Sequence, residues 1–252
     1  MFDVKTVHDE IIDWIRNSLF GKSGKLIVIG ISGGKDSTVC AALLAEALGK
    51  DRIIGVMMPN GVQKDITDSY RVANFLRIKH YVVNIEDAYK ALTKEISKNF
   101  SSETSLYTTN TPARLRMTAL YGVAACVGGF VVNTCNLSES IVGWETYGGD
   151  GFGDFSILGR LTKTEVVILG DYMGLPKELV YKTPSDGMCG ASDEDKMGFT
   201  YGELDNTIRS NMEGKNFEKI LEMNKRSHFK HENIRMPTYN PMLKINENFN
   251  WD

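Results

Sequence analysis

Between residues 4 and 19 the apolar side chains Val4, Val7, Ile11, Ile12, Ile15 and Leu19 recur at the spacing of one helix face, with Asp and Arg on the other. The pattern predicts an opening amphipathic helix. Four short runs then break that period: 25–31 (KLIVIGI), 52–58 (RIIGVMM), 80–85 (HYVVNI) and 130–134 (FVVNT). Each is apolar almost without interruption, which suits strands covered on both faces. Helical patterns fill the gaps at 36–48, 66–76, 87–98 and 112–127. This alternation predicts an α/β fold, a doubly wound, mostly parallel, Rossmann-like sheet. Ligands of such sheets sit beyond the carboxyl ends of the strands where the strand order reverses. The loops after Ile31, Met58 and Thr134 are therefore where chemistry is expected.

Further along, helical segments at 162–172 and 192–208 flank the polar, glycine-containing stretch PSDGMCGASDED. With no internal repeat and no linker-like composition, the expectation is one domain over residues 1–252. Within it, residues 1–20 form the opening helix, 25–180 the nucleotide-binding core, 183–198 a lid and 199–252 a helical C-terminal extension.

Composition narrows the class. The 252 residues carry 29 Lys plus Arg against 32 Asp plus Glu, a net charge of -3, which argues against a polyanion-binding surface. No run approaches the roughly 20 apolar residues of a membrane span, and the N-terminus lacks a secretory pattern, so a cytoplasmic protein is expected. Cys40, Cys126, Cys135 and Cys189 are scattered, without C-x-x-C pairs or histidines at metal-ligand spacing. They suggest neither zinc nor disulfides.

Candidate chemistry begins where the first strand ends, at Gly30-Ile31-Ser32-Gly33-Gly34-Lys35-Asp36-Ser37. The glycines permit a sharp turn that aims backbone N–H groups at an anion; Ser32 and Ser37 add hydroxyls, and the following helix adds its positive end. The Walker A frame does not fit, because it would need Ile29 as its first glycine and Asp36 as its hydroxyl residue. An aspartate inside a phosphate loop would repel the ligand unless a cation lies between them, so Asp36 argues for Mg²⁺.

The S-G-G-x-D-S pattern resembles the PP-loop of the ATP pyrophosphatases, the adenine nucleotide alpha hydrolase-like superfamily, which cleave ATP between its α and β phosphates. Further segments choose a branch. Met58-Pro59-Asn60-Gly61-Val62-Gln63, Asn110-Thr111-Pro112-Ala113-Arg114-Leu115-Arg116-Met117 and Thr134-Cys135-Asn136-Leu137-Ser138-Glu139 resemble M-P-x-G-V-Q, N-x-x-A-R-x-R-M and G-T-D-x-x-x-E of the NAD⁺ synthetases, in the same order. The likeness runs on through Gly149-Asp150-Gly151, Asp154, Leu161-Thr162-Lys163, Lys182-Thr183-Pro184-Ser185, Asp193-Glu194 and Gly198-Phe199-Thr200-Tyr201.

The resemblance implies a ligase. It would adenylate the nicotinate carboxylate of deamido-NAD⁺ with Mg-ATP and amidate it with ammonia, giving NAD⁺, AMP and pyrophosphate. It places ATP on Gly30, Ile31, Ser32, Gly33, Gly34, Lys35, Asp36, Ser37, Thr134, Lys163 and Ser185. Magnesium falls on Asp36 and Glu139, and deamido-NAD⁺ on Arg114, Asp154 and Lys230. Asp36 and Lys163 are the expected catalytic pair. Read from the residues alone, Glu139 serves equally well as a capping glutamate of the next helix, and Lys163 as a surface lysine. Arg114 and Arg116, two apart on a helix, point to different faces and are not expected to touch one ligand. One helix precedes Lys25, so the expected nitrogen source is free ammonia or ammonia handed over by another chain.

The chain also departs from the pattern. Cys135 stands where G-T-D has its aspartate, Tyr147 where many members carry a substrate-contacting lysine, and Phe229 where the family's histidine precedes Lys230. A homodimer is implied by the resemblance, with apolar helices such as the first as its contacts. The rival readings are a PP-loop tRNA-modifying enzyme, disfavoured by the acidic balance and the absent C-x-x-C, and a noncatalytic adenine-nucleotide-binding module.

Overall fold

The computed structural model describes residues 2–63, 65–181, 192–210, 213–232 and 236–249. Its strands are β1 (Ile27–Gly30), β2 (Ile53–Met57), β3 (Lys79–Val82), β4 (Phe130–Asn133) and β5 (Phe155–Ser156), all parallel, in the order β3-β2-β1-β4-β5. The helices up to β4 are α1 (Val4–Asn17), α2 (Leu19–Lys22), α3 (Lys35–Leu48), α4 (Ile66–Leu76), α5 (Glu86–Ile96) and α6 (Ser105–Val127). After it come α7 (Leu137–Val142), α8 (Lys163–Tyr172), α9 (Lys177–Val180), α10 (Asp193–Met197), α11 (Tyr201–Arg209) and α12 (Phe217–Ser227).

The apolar runs are two-sided cores. Ile27, Ile29, Ile53, Met57 and Val132 join one buried cluster with α1, α3, α4 and α8, while Val28, Ile54, Val56 and Val131 pack with Met117, Leu120 and Ala124 of α6. Side chains alternate across the pleat, so a strand with a helix layer on each face needs apolar residues at every position. The strand order reverses between β1 and β4, which opens a crevice at their carboxyl ends. A smaller cluster joins Leu137 and Ile141 of α7 to Met197, Tyr201, Leu204, Ile208 and Ile220 of the C-terminal helices.

Several expectations change. β3 lies at the sheet edge with Tyr81 and Val82 exposed, and beyond Val82 the Val83 and Ile85 amides still donate to the Met57 and Pro59 carbonyls, but Pro59 has no N–H to donate in return. β5 is too short to leave a pattern. It is extended by the tail, where Ser156 donates to the Pro237 carbonyl and accepts from the Tyr239 amide. The long α6 starts seven residues before Pro112, at a turn capped by Thr104, and carries that proline within it. The segment 192–208 is two helices, parted by Gly198 at φ 76° and a new cap from Thr200. Most of the expected lid, including Ser185, lies outside the described residues. No helix among the described residues is long and apolar enough to cross a membrane.

The first helix is not a free apolar face. Val7, Ile11, Ile12 and Ile15 are buried against α3 and α8, each burial worth about 1.5–3 kcal/mol. The expectation that it forms a dimer contact is thereby corrected.

Candidate active site

Three chain segments converge in the crevice. The first is the loop after β1. Gly33 has φ 77°, and a Cβ there would stand 2.8 Å from both the Asp68 Cβ and the Ser69 amide nitrogen, so both backbone angle and packing demand glycine. Ser32 and Ser37 brace the turn: their hydroxyls lie 3.0 Å apart, the Gly34 amide donates to the Ser32 Oγ, and the Ser37 hydroxyl donates to the Gly34 carbonyl. They stiffen the loop as well as offering hydroxyls. Gly34 is the N-cap of α3 and provides no side-chain cap, so the first turn of that helix meets the crevice with its amides.

The second segment follows β4. Asn136 caps α7 by accepting from the Glu139 amide, and the Glu139 Oε2 accepts in return from the Asn136 amide, a complete capping box. The other Glu139 oxygen, Oε1, is 2.7 Å from the Lys163 Nζ. Glu139 therefore caps α7 with one oxygen and meets the Lys163 ammonium with the other. The third segment is the start of α8, where Lys163 is the first helical residue behind the Thr162 cap. Its Nζ also meets the Asp36 Oδ2 at 2.8 Å, and the Tyr201 ring centre lies 4.8 Å from it. One ammonium thus bridges two carboxylates from two strand ends.

Burial governs the charges. It pushes the Glu139 carboxyl up to about 7, with Lys163 pulling it down and Asp36 pushing it further up. Burial also works against the charge on Lys163, but the two carboxylates outweigh it and hold its pKa well above the ordinary lysine value. Lys35 is lowered by burial and by repulsion from Lys163. An open cavity of about 190 Å³ adjoins, lined by Lys35, Lys163, Thr164, Val167, Glu194 and Tyr201. Two lysines at its wall suit an anion.

As a metal site the crevice offers two hard carboxylate oxygens, and no cluster of three or more His, Cys, Asp or Glu occurs among the described residues. That donor set fits Mg²⁺ shared with phosphate and water, and does not fit an all-protein cage.

Sequence reasoning missed Asn136. Fully buried, it donates to the Asp36 Oδ1 at 2.9 Å and so fastens the α7 cap to the phosphate loop. The N-x-x-E spacing of a capping box was its signal.

The remaining candidates are placed differently. Thr134 sits half-buried between β4 and α7, at the crevice. Cys135 is buried, its thiol directed at the Asp150 carbonyl 3.2 Å away and pushed up in pKa chiefly by burial. Arg114 is exposed, its Nε donating to the Tyr147 carbonyl, while Arg116 donates to the Met58 carbonyl, so the two arginines do take separate faces. Tyr147, in the position of the family's lysine, packs its ring against Phe152 and Phe229. Asp154 accepts from the Val131 amide at 2.7 Å and from the Tyr121 hydroxyl, bonds that tie β5 to β4 and α6. Lys230 donates to the Gly143 and Glu145 carbonyls, the use expected of a cation at a helix C-terminus. Neither contact joins Asp154 or Lys230 to the Asp36, Glu139 and Lys163 constellation.

Known proteins resemble this chain over most of its length. The NH₃-dependent NAD⁺ synthetase of Carboxydothermus hydrogenoformans is 34% identical over 238 residues, covering 93% of this chain and 96% of that protein. The NMN synthetase structure from Francisella tularensis superposes with a TM-score of 0.85 at 32% identity, covering 95% of this chain and all of the other. NAD⁺ synthetase from Burkholderia pseudomallei gives 0.76 at 25% identity, over 93% and 92% of the two chains. Residues 7–237, which hold the phosphate loop, Glu139 and Lys163 alike, match the NAD synthase family, and the chain belongs to it.

Proposed function

We propose that the protein is an ammonia-dependent NAD⁺ synthetase, and the observation that carries this reading is the single ammonium of Lys163 held between Asp36 and Glu139 at the phosphate loop. Adenylation asks a carboxylate to attack a polyanion, so the barrier is largely charge repulsion and positioning. The amides around Gly33 to Ser37 and the ammonium groups of Lys35 and Lys163 face the phosphates; Thr134 and Ser185 are assigned to the same nucleotide. As the nicotinate carboxylate oxygen bonds to the α-phosphorus, the bond to the bridging oxygen breaks and pyrophosphate leaves with its charge against Lys163. Ammonia then bonds to the activated carbonyl carbon, loses a proton, and AMP departs. Asp36 and Glu139 would hold Mg²⁺, which when bound neutralises phosphate charge. Arg114, Asp154 and Lys230 remain assigned to the dinucleotide substrate. No enzyme nucleophile is required; the buried thiols of Cys40 and Cys135 are both raised in pKa, chiefly by burial.

Purified protein with Mg-ATP, deamido-NAD⁺ and an ammonium salt is expected to yield NAD⁺ and AMP in equal amounts. ATP binding without AMP formation would support the noncatalytic module instead, and formation of neither product by folded protein defeats the ligase reading. A second reading has its own support. The Francisella NMN synthetase is matched over its whole length, so nicotinate mononucleotide is run beside deamido-NAD⁺, and the larger kcat/KM identifies the substrate.

A homodimer also belongs to this proposal, through α6 rather than α1. α6 buries only Pro112, Met117, Leu120 and Ala124, and leaves Leu106 73% exposed, with Tyr121 and Val127 also open. Leu106→Asp is expected to raise the dimer dissociation constant at least about tenfold by sedimentation, since burying the new charge costs more than 1.4 kcal/mol. A wild-type monomer at micromolar concentration would rule the dimer out.

A further inference from the structure

α7 and α8 both begin at the crevice, and each contributes one charge, Glu139 and Lys163. Lysine carries its charge on a flexible four-carbon stem, so the place of its Nζ depends on where the first turn of α8 is held. That turn has three amides to satisfy. Glu165 donates back to the Thr162 cap at 3.4 Å, Lys163 donates to the Ser138 Oγ at 2.9 Å, and Thr164 donates to the Asp205 Oδ2 at 2.7 Å. The Ser138 hydroxyl in turn donates to the other Asp205 oxygen, Oδ1, at 2.5 Å. One carboxylate on α11 therefore grips the start of α8 directly and the start of α7 through Ser138.

We propose that Asp205 is a positioning residue of the ligase site, which fixes the helix starts that carry Lys163 and Glu139 so that one ammonium meets both carboxylates.

The surroundings are built for this. Asp205 is 6% exposed and Ser138 is fully buried, so neither bond competes with water. A carboxylate against the first turn of a helix also has the favourable sense with respect to the helix dipole. α11 repeats the grip at helical spacing. Four residues before Asp205, the Tyr201 ring lies beside the Lys163 Nζ. Four residues after it, the Arg209 fork meets both Glu165 oxygens at 2.8 and 2.6 Å and the Arg160 carbonyl at 2.8 Å, holding the same first turn from its other side. The proposed chemistry uses none of these three side chains, yet all reach one turn of α8. Asp205 touches no reacting atom; it acts through Lys163 and Glu139.

The inference rests on the ligase reading, and its test separates the two. Asp205→Asn keeps size and one acceptor but turns a donor toward either Ser138 or Thr164. In the assay above, rates are expressed per ATP-binding site counted by equilibrium titration, so a loss of folded protein does not count as a loss of rate. Asp205→Asn is expected to lower kcat at least tenfold while KM for ATP changes less than threefold, and a crystal structure of the variant is expected to show the Lys163 Nζ withdrawn from Asp36 or Glu139. Should that variant not fold, Ser138→Ala removes the relay alone and is expected to lower kcat at least fivefold with the same KM pattern. Wild-type kcat per site in either folded variant overturns the inference, as does a lowered kcat with Nζ still on both carboxylates. No turnover by the wild-type protein would instead overturn the ligase reading itself.

Discussion

Asp36→Ala is expected to lower turnover by about 10³-fold, the scale set by removing a preorganised charge from a transition state, while leaving the fold intact. The side chain stands on the first turn of α3, touched by the Asn136 carboxamide and the Lys163 ammonium. Its removal costs those two contacts and a helix-terminus interaction, about 1–3 kcal/mol together, less than a domain of ordinary stability holds. Lys163 keeps Glu139, so the ammonium is not stranded. The lost carboxylate nonetheless takes with it half of the proposed metal donors and one of the two anions that centre Lys163. AMP formation and urea denaturation, measured on the same preparation, check the claim. A rate near wild type would remove Asp36 from the chemistry; a collapsed denaturation midpoint would make it structural.

What could be read from the chain followed from local rules. Strands covered on both faces write themselves as unbroken apolar runs, so β1, β2 and β4 were legible, and a Gly-Gly turn at the end of β1 marked the crevice. Asp36 could be argued from electrostatics alone, since an acid in an anion cradle needs a cation. Edge status was written faintly: β3 carries Lys79 and His80 where β1 and β2 are apolar throughout, a sign masked by the apolar residues that follow, and the strand order leaves Tyr81 and Val82 open. β5, two residues long, carries no period at all.

The site divides in the same way. Glu139 could not be settled from spacing because its two oxygens do two jobs, a cap and an ion pair. Asp205 left no signal because its partners, Ser138 and Thr164, are 67 and 41 residues away in sequence. The side chains of Asp154 and Lys230, to which resemblance gave substrate roles, are bonded here to backbone groups of neighbouring elements, contacts that no local pattern announces. Tyr147 replaces a cation with an aromatic ring that Phe152 and Phe229 hold, and the charge that residue would have supplied is absent from the loop.

Lys163→Ala is expected to lower kcat by about 10²–10³-fold and, unlike Asp36→Ala, to destabilise the protein in a pH-dependent way. Its Nζ, 5% exposed as a side chain, is the common partner of Asp36 and Glu139. Truncation leaves two carboxylates facing each other in a partly buried crevice, a loss of about 3–5 kcal/mol when both stay ionised. One of them escapes by taking a proton. Glu139 is already pushed up to about 7 by burial, and without the ammonium it rises further. Below pH 7 folded Glu139 holds a proton in both proteins, so the stability gap between them is constant there. Above pH 7 the wild-type group ionises while the variant's does not, and the variant's folded state then binds one more proton than its unfolded state. Its stability must fall by about 1.4 kcal/mol per pH unit until the raised pKa is passed. Urea denaturation of both proteins at pH 6 and pH 8.5 is expected to show the gap widening at the higher pH, and millimolar Mg²⁺ to narrow it, because a divalent ion takes the place the ammonium held between two hard oxygens. A gap that narrows with rising pH would mean that Lys163 does not sit between those acids in solution.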